Sequence, residues 1–483
     1  MIPHFEPVLL WTDVLLCAML ATIASYAWYC ARRPHLALPW RRVFQSRSAM
    51  ASAVMLAAYL LVALADSVHF RPALDAPPRA APPVYSTEVW SLLDLVLRHL
   101  RLGAEKTYSE PFATHLFAKE RIESREGPLA GRTVRDYPRL RFGGAQLGSE
   151  DERAGDIARR ALAGLGLALA GWLLLCALAA GWLAAAHKAR FPAGWRSLWR
   201  GATPLPWHAA LAALGLLVLI AAPLYELSFA YHVLGTDKVG QDVLYQSLKS
   251  VRTSLVIGTL STLVMLPLVT AFGVTAGYFK GWVDDVIQYL YTTINSIPGV
   301  LLIAAAVLVL QVYIDTHGEL FPSALQRADL RLFALCVILG LTSWIGLARL
   351  LRGEAMKLSE LEYIQAAHAF GVPDARIMLR HILPNVAHIM IITLAMEFSG
   401  LVLAEAVLSY VGVGVDPSTI SFGTMINAAR LEMARDPMVW WSLASAFVFM
   451  LMLVLAANLF ADRVRDGFDP RVRRRGAAPA SLA

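Results

Sequence analysis

The sequence predicts an all-α protein that crosses a membrane many times, and three observations carry that prediction. Of its 483 residues, 57% are hydrophobic and 16% are charged, whereas soluble domains average about 45–50% and about 25%. Nine apolar stretches reach the length of a spanning helix, about 17–25 residues. They lie at 8–29, 49–65, 161–186, 207–225, 254–279, 286–313, 332–348, 386–404 and 438–460. Finally, a nine-span chain places its three arginine-rich stretches on one face. A disordered chain, a disulfide scaffold and a soluble enzyme are excluded together.

The elements follow in order. No Lys or Arg precedes the first span, only Glu6. The N-terminus is therefore expected outside, and the missing basic n-region argues against a cleaved signal peptide. Loop 31–48 has Arg32, Arg33, Arg41, Arg42 and Arg47 without an acid. Loop 187–206 has Lys188, Arg190, Arg196 and Arg200, again without one. The tail from Ala461 carries six arginines against three aspartates. Short basic loops face the cytoplasm, so the expected location is a bacterial cytoplasmic (inner) membrane, with the C-terminus inside. Residues 1–66 then form an N-terminal extension with two spans, and 160–206 a third span with its cytoplasmic loop. Residues 463–483 form a basic cytoplasmic tail.

Residues 67–159 hold 14 Lys/Arg and 13 Asp/Glu, and parity puts them outside as a periplasmic segment. RPALDAPPRAAPP reads as an extended linker. Leu92, Leu93, Val96, Leu97 and Leu100 have helical spacing, with Gly103 as the stop. No site is apparent in the remainder. Cys17, Cys30, Cys176 and Cys336 form no CxxC pair, so neither a disulfide framework nor zinc is expected. His381 and His388 likewise lack metal-ligand spacing.

The most informative stretch runs from Glu354 to Asn385. Glu354, Lys357, Glu360 and Glu362 are polar, while Leu358, Leu361 and Ile364 recur on a three-residue stagger. This predicts two short helices, with Gly371 as a left-handed cap between them. Pro373 begins the second helix and Pro384 ends the unit. On physics alone an ordinary solvated helical hairpin fits equally well.

QAAHAFG…HILPN resembles the Glu-Ala-Ala loop of binding-protein-dependent ABC importer permeases of the dipeptide/oligopeptide type. Ala366, Ala367, Gly371, Leu383, Pro384 and Asn385 match, and Gln365 replaces the motif's Glu. LGTDKVGQDVL matches the family's segment before its second helix at Leu234, Gly235, Thr236, Asp237, Gly240 and Asp242, with Gln241 in place of Arg. AGYFKGWVDDVI and LAEAVLSYVGVGVDPSTISFGTMI match two further segments, with Phe422 in place of Trp. The resemblance implies a type I ABC importer transmembrane fold, with about six core helices after about three extra ones. Residues 207–250 would hold the first core span and the LGTD segment, and 251–462 the transmembrane domain.

It also implies the partners. These are a second homologous permease, two cytoplasmic ATPase subunits docked on loop 354–385, an external solute-binding protein, and membrane lipid; nucleic acid is not among them. The resemblance implies no cofactor on this chain, and no G-x-x-x-x-G-K-S/T loop is present to cradle the phosphates of ATP. ATP belongs to the partners, and this chain is a transport subunit without catalytic residues. A Gln at 365 loses the charge-assisted bond a Glu would offer, and Glu362 on the same helix is the expected substitute.

Within the spans, Glu397 and Glu405 are functional-site candidates by default. Asn295 and Pro298 interrupt the sixth span, where a broken helix can line a cavity. With Ser399 they define one candidate translocation path for peptides or peptide-like solutes; interhelical packing is the competing reading. Two other functions stay open here. One is a proton-coupled secondary transporter using Glu397 and Glu405, and the other a receptor or enzyme working through residues 67–159.

Overall fold

A computed structural model describes residues 5–73, 85–123, 133–186, 188, 190–201, 203–320 and 323–468. Of the linker expected at 71–83, Arg71 and Pro72 lie in a strand and Ala73 is described; residues 74–83 and the tail from 469 lie outside the described residues. Along the chain, β1 (Phe5–Val8) leads into α1 (Trp11–Ala31), α2 (Pro34–Gln45) and α3 (Arg47–Ser67). Next come β2 (His69–Pro72), β3 (Trp90–Ser91), α4 (Leu92–Val96), α5 (Arg98–Leu102), β4 (Glu120–Glu123) and β5 (Thr133–Asp136). They precede α6 (Arg153–Ala186), α7 (Phe191–Arg200), α8 (Trp207–Ser228), α9 (Val243–Leu268) and α10 (Val274–Phe279). The remainder is α11 (Gly281–Asn295), α12 (Gly299–Thr316), α13 (Ala324–Ser343), α14 (Ile345–Ser359), α15 (Glu362–Ala369), α16 (Asp374–Ile377), α17 (Leu383–Val411), α18 (Phe422–Glu432) and α19 (Trp441–Phe468).

Eight helical stretches among the described residues are long and apolar enough to cross a membrane, and the pair α13–α14, bent by 41°, makes a ninth. The expected count of nine therefore holds when that pair is one span. The interruption expected at Asn295 and Pro298 makes the stretch 286–313 two helices, because Ser296 and Ile297 leave the helix and Pro298 (φ −54°, ψ 120°) restarts it as the N-cap of α12. Two details differ from expectation. The stretch 332–348 bends at Trp344. Pro384 does not end the 354–385 unit; it occupies the first turn of α17. A widened turn at Met378–Ile382 carries α16 into α17, so the N–H that Pro384 lacks falls where the ladder is already loosened.

The chain divides into two compact units. One comprises Met1–Val8, Met50–Thr253 and Ile420–Leu453. Its strands are the exception to an all-helical chain: β1, β2 and β3 pair antiparallel in that order, with Phe5 opposite Pro72 and His69 opposite Ser91, and β4 pairs with β5. The single helix expected over 92–102 is broken at Leu97. Leu93, Leu97 and Leu100 pack on Leu244 and Tyr245, and Leu92 and Val96 stay exposed. The other unit comprises Leu9–Ala49, Ser254–Thr419 and Val454–Ala483. There, Gly273 and Gly277 let α10 lie against α14. A Cβ on Gly277 would stand 2.5 Å from the Arg352 carbonyl oxygen and 2.6 Å from Ala355 Cβ. Small residues four apart are what helices packed this closely in a bilayer require.

Candidate functional site

The 354–385 loop is built as a stiff projection. Ile364, 2% exposed, roots α15 in a core shared with Leu351 and Ala355 of α14, Ile377 of α16 and Val386 of α17. Burying one such side chain is worth about 1.5–3 kcal/mol. At the far end of α15 the N–H of Val372 donates to Ala367 O (3.1 Å) and that of Gly371 to His368 O (2.9 Å). This paired closure needs a left-handed residue, and Gly371 supplies it at φ 74°.

Outside that root the loop is open. Glu362, Gln365, Ala366, Gly371, Pro384 and Asn385 are exposed, while Ala367 and Leu383 are half-buried. Gln365 Nε2 donates to Glu360 O at 3.1 Å, folding that side chain back on the turn before α15. Asn385 Nδ2 donates to His381 O (2.6 Å) and Tyr363 Oη (3.2 Å). Phe370 is 88% exposed, a large apolar side chain at the tip that pattern reading passed over. A cleft of about 410 Å³ lies alongside, lined by Tyr278, Lys280, Ile364, Gln365, His368 and Asp374 among others.

Two ion pairs tie the α10–α11 region to α14 and to the start of this loop. Arg352 of α14 grips Asp284 in a fork, Nε to Oδ1 and Nη2 to Oδ2, both at 2.5 Å. That bidentate bond, aided by Gln288 at 2.8 Å, holds the Asp284 carboxyl below its ordinary pKa. Lys280 pairs with Glu360 directly before α15. Neither pair is visible in local sequence, since Asp284 and Arg352 are 68 residues apart.

The in-span candidates are scattered. Asn295 and Pro298 are exposed at the break between α11 and α12, and Glu397 is half-buried on α17. Ser399 is 4% exposed and Glu405 fully buried. Glu405 accepts from Ser409 Oγ, one turn further along α17, at 2.7 Å. Leu401 and Leu408 flank it in a core with Val256 of α9 and Leu335 of α13. The described residues contain no group of three or more His, Cys, Asp or Glu able to hold a metal ion.

Residues 269–474 match the family model described as binding-protein-dependent transport system inner membrane component. Over 247 residues the chain is 34% identical to the oligopeptide transport system permease protein OppC of Mycobacterium tuberculosis, covering 51% of this chain and 78% of that one. It is 32% identical over 301 residues to the glutathione transport system permease protein GsiD of Pectobacterium atrosepticum, covering 58% of this chain and 92% of that one. The chain belongs to this family. The dipeptide transport system permease protein DppC of Bacillus subtilis is 26% identical over 245 residues, covering 51% and 70%. The type I importer fold follows, with α1, α3 and α6 preceding six core spans that begin at α8.

In this inner membrane component, the segment between α3 and α6 clasps the LGTD turn. Thr236 donates its N–H to Ser109 O (3.1 Å) and accepts the Ser109 N–H on Oγ1 (2.7 Å). Trp441 Nε1 donates to Thr236 O at 2.9 Å. Below it lies a buried triad. His232 Nδ1 is 2.8 Å from Asp242 and Nε2 is 3.5 Å from Glu105. Glu105 also accepts the N–H groups of Arg141 (2.9 Å), Phe142 (2.7 Å) and Gly143 (3.1 Å). Burial opposes charge on His232 and on Glu105. The two carboxylates nevertheless push His232 up to about 9. Against the same burial, His232 and the three N–H groups pull Glu105 down to about 2. A second knot joins Asp94 to Arg101 (2.7 Å), Tyr245 (2.7 Å) and Lys249 (2.9 Å).

Proposed function

We propose that the chain is the permease subunit of an ATP-driven importer of peptides or peptide-like solutes. ATP is hydrolysed by two separate cytoplasmic ATPase subunits, a second homologous permease completes the pore, and an external binding protein delivers the solute. The observation that carries this reading is the exposed α15 projection, rooted in the core through Ile364 and tipped by Phe370, in a chain of this family. An aromatic left 88% exposed is the kind of anchor that buries in a partner's pocket. ATPase closure would then move α15 as a rigid lever and tilt the bundle between two access states. The relatives' names support the solute class, since they denote oligopeptide, dipeptide and glutathione permeases. The proton-coupled alternative gains nothing from the geometry: Glu405 is enclosed and hydrogen-bonded to its own helix. Solute uptake by the assembled complex should persist when the proton gradient is collapsed and stop when ATP is withheld; the reverse result overturns the proposal.

Glu362 is exposed on α15 and Gln365 is occupied with the Glu360 carbonyl, so Glu362 is the acidic group offered to the ATPase from this helix. Glu362→Gln should weaken ATPase co-purification about ten-fold, within the range of a lost charge-assisted interface bond. Gln365→Glu in that background should restore it.

The orientation belongs to the same proposal, with the N-terminus and the 67–159 segment outside. It is supported by the basic loops and by β1 pairing with β2 across two intervening spans. Ser149, exposed before α6, should react as Ser149→Cys with a membrane-impermeant thiol reagent in intact cells. Gln45→Cys, exposed at the end of α2, should react only after permeabilisation.

A further inference from the structure

The helices α6, α7 and α8 enclose a cleft unrelated to the 354–385 loop. It has a volume of about 360 Å³ and is lined by Leu175, Leu178, Trp182, Leu198, Trp207 and Leu211, with Ala179 and Leu183. That is the size of a small-ligand site, about 300–1,000 Å³. Every lining residue is apolar or an indole. The cleft has a firm frame. Trp172 Nε1 donates to Leu211 O at 2.8 Å, fastening α6 to α8. Leu198 of α7 is fully buried in a core with Cys176, Ala180 and Leu183 of α6 and Leu211 of α8. Its outer wall is bare, with Leu178 and Trp182 each 64% exposed.

Charge decides what covers it. α7 is amphipathic: Gly194 and Leu198 face inward, while Arg196 and Arg200 are exposed four residues apart, with Lys188 and Arg190 exposed just before the helix. No Asp or Glu occurs between 187 and 206. Trp195 and Trp199 lie between the two faces, with ring centroids 6.3 Å apart. A basic face, flanking indoles and an apolar underside describe a helix lying in the headgroup layer. The cleft opens onto the flank of two helices, α6 and α8, that are themselves long and apolar enough to span the bilayer.

We propose that this is a binding site for one anionic phospholipid. An acyl chain lies in the α6–α8 cleft, and the phosphate is held by the arginines of the α7 loop. Each arginine near an anionic headgroup contributes about five-fold in affinity (about 1 kcal/mol). The site does not depend on the transport reading, because lipid occupancy is measured without ATPase or solute.

The test is native mass spectrometry of the full chain in detergent, titrated separately with phosphatidylglycerol and phosphatidylcholine. The expected result is a retained phosphatidylglycerol adduct, preferred over phosphatidylcholine by at least ten-fold. Arg190→Gln/Arg196→Gln/Arg200→Gln, which alters only exposed side chains, should bring the two lipids to parity. Ala179→Phe, which fills the cleft, should remove the adduct of either lipid. Equal retention of both lipids by the wild-type chain overturns the proposal. So does an unchanged preference in the triple variant, or a dimer of the chain in place of lipid adducts. If Ala179→Phe does not fold, the triple variant decides alone.

Discussion

Gly371→Val is expected to abolish solute-stimulated ATP hydrolysis by the assembled transporter, at least a ten-fold loss, while the chain still inserts and reaches normal levels. The argument is conformational. Gly371 sits at φ 74° with no atom within 4 Å of where a Cβ would be, so a side chain has room but lacks a permitted backbone. A β-branched residue there is a genuine outlier, costing about 1–3 kcal/mol. The chain escapes that strain by giving up the closure in which Val372 donates to Ala367 and Gly371 to His368. Freed of it, the end of α15 and the exposed Phe370 lose their fixed direction relative to the Ile364 root. The spans are untouched, which is why insertion survives. Gly371→Asn separates backbone from bulk, because Asn tolerates the left-handed region; it should keep at least half of the stimulated rate. Equal loss in both variants, or none in Val, would mean that the cap does not aim the helix.

What could be read from sequence follows the range of the signal. The spans were legible because membrane crossing is written in uninterrupted apolar length, and α3 and α6 stand where that length placed them. The break between α11 and α12 was legible from Asn295 and Pro298, and the cap of α15 from Gly371. Pro384 misled because proline was read as a stop, whereas after a widened turn it serves as the first turn of α17. The Gly273–Gly277 spacing was present in the sequence and marks the α10–α14 contact, so a search for small residues four apart finds it.

The pairs that tie the elements together were not legible at all. Asp284 reaches Arg352, and Glu105 reaches His232, through tertiary proximity that no periodicity encodes. Residues 67–159 looked nearly neutral and siteless for the same reason. Glu105 and Asp94 of that segment are spent on partners outside it, His232 and Lys249. Glu397 and Glu405 show the converse. Both stood out in sequence as charges in apolar runs, yet Glu405 proves to be a packed, hydrogen-bonded group rather than part of an open surface.

His232→Ala is expected to have the largest effect on stability, by stranding Glu105 and Asp242 as buried carboxylates without their common partner. Removing one member of a buried ionic cluster costs about 3–5 kcal/mol. Glu105, 9% exposed, and Asp242, fully buried, are covered well enough for that range to apply. The loss should appear as protease sensitivity of the 85–123 region and as release of the clasp on Thr236, with residues 269–468 retaining their protection.

The pH dependence carries an independent sign. His232 rises from 6.5 to about 9 on folding, so its stabilising contribution is full below pH 6.5 and fades as pH climbs towards 9. Glu105 falls from 4.5 to about 2, so its contribution is full above pH 4.5 and fades as pH drops towards 2. The clasp is therefore strongest between about pH 4.5 and 6.5. Proteolytic protection of the 85–123 region should decline between pH 7 and 9 in the wild-type chain. In His232→Gln, which fills similar space without titrating, protection should be lower and flat over that range. A flat wild-type profile, or one that rises with pH, would mean that His232 is not held as a cation between the two carboxylates.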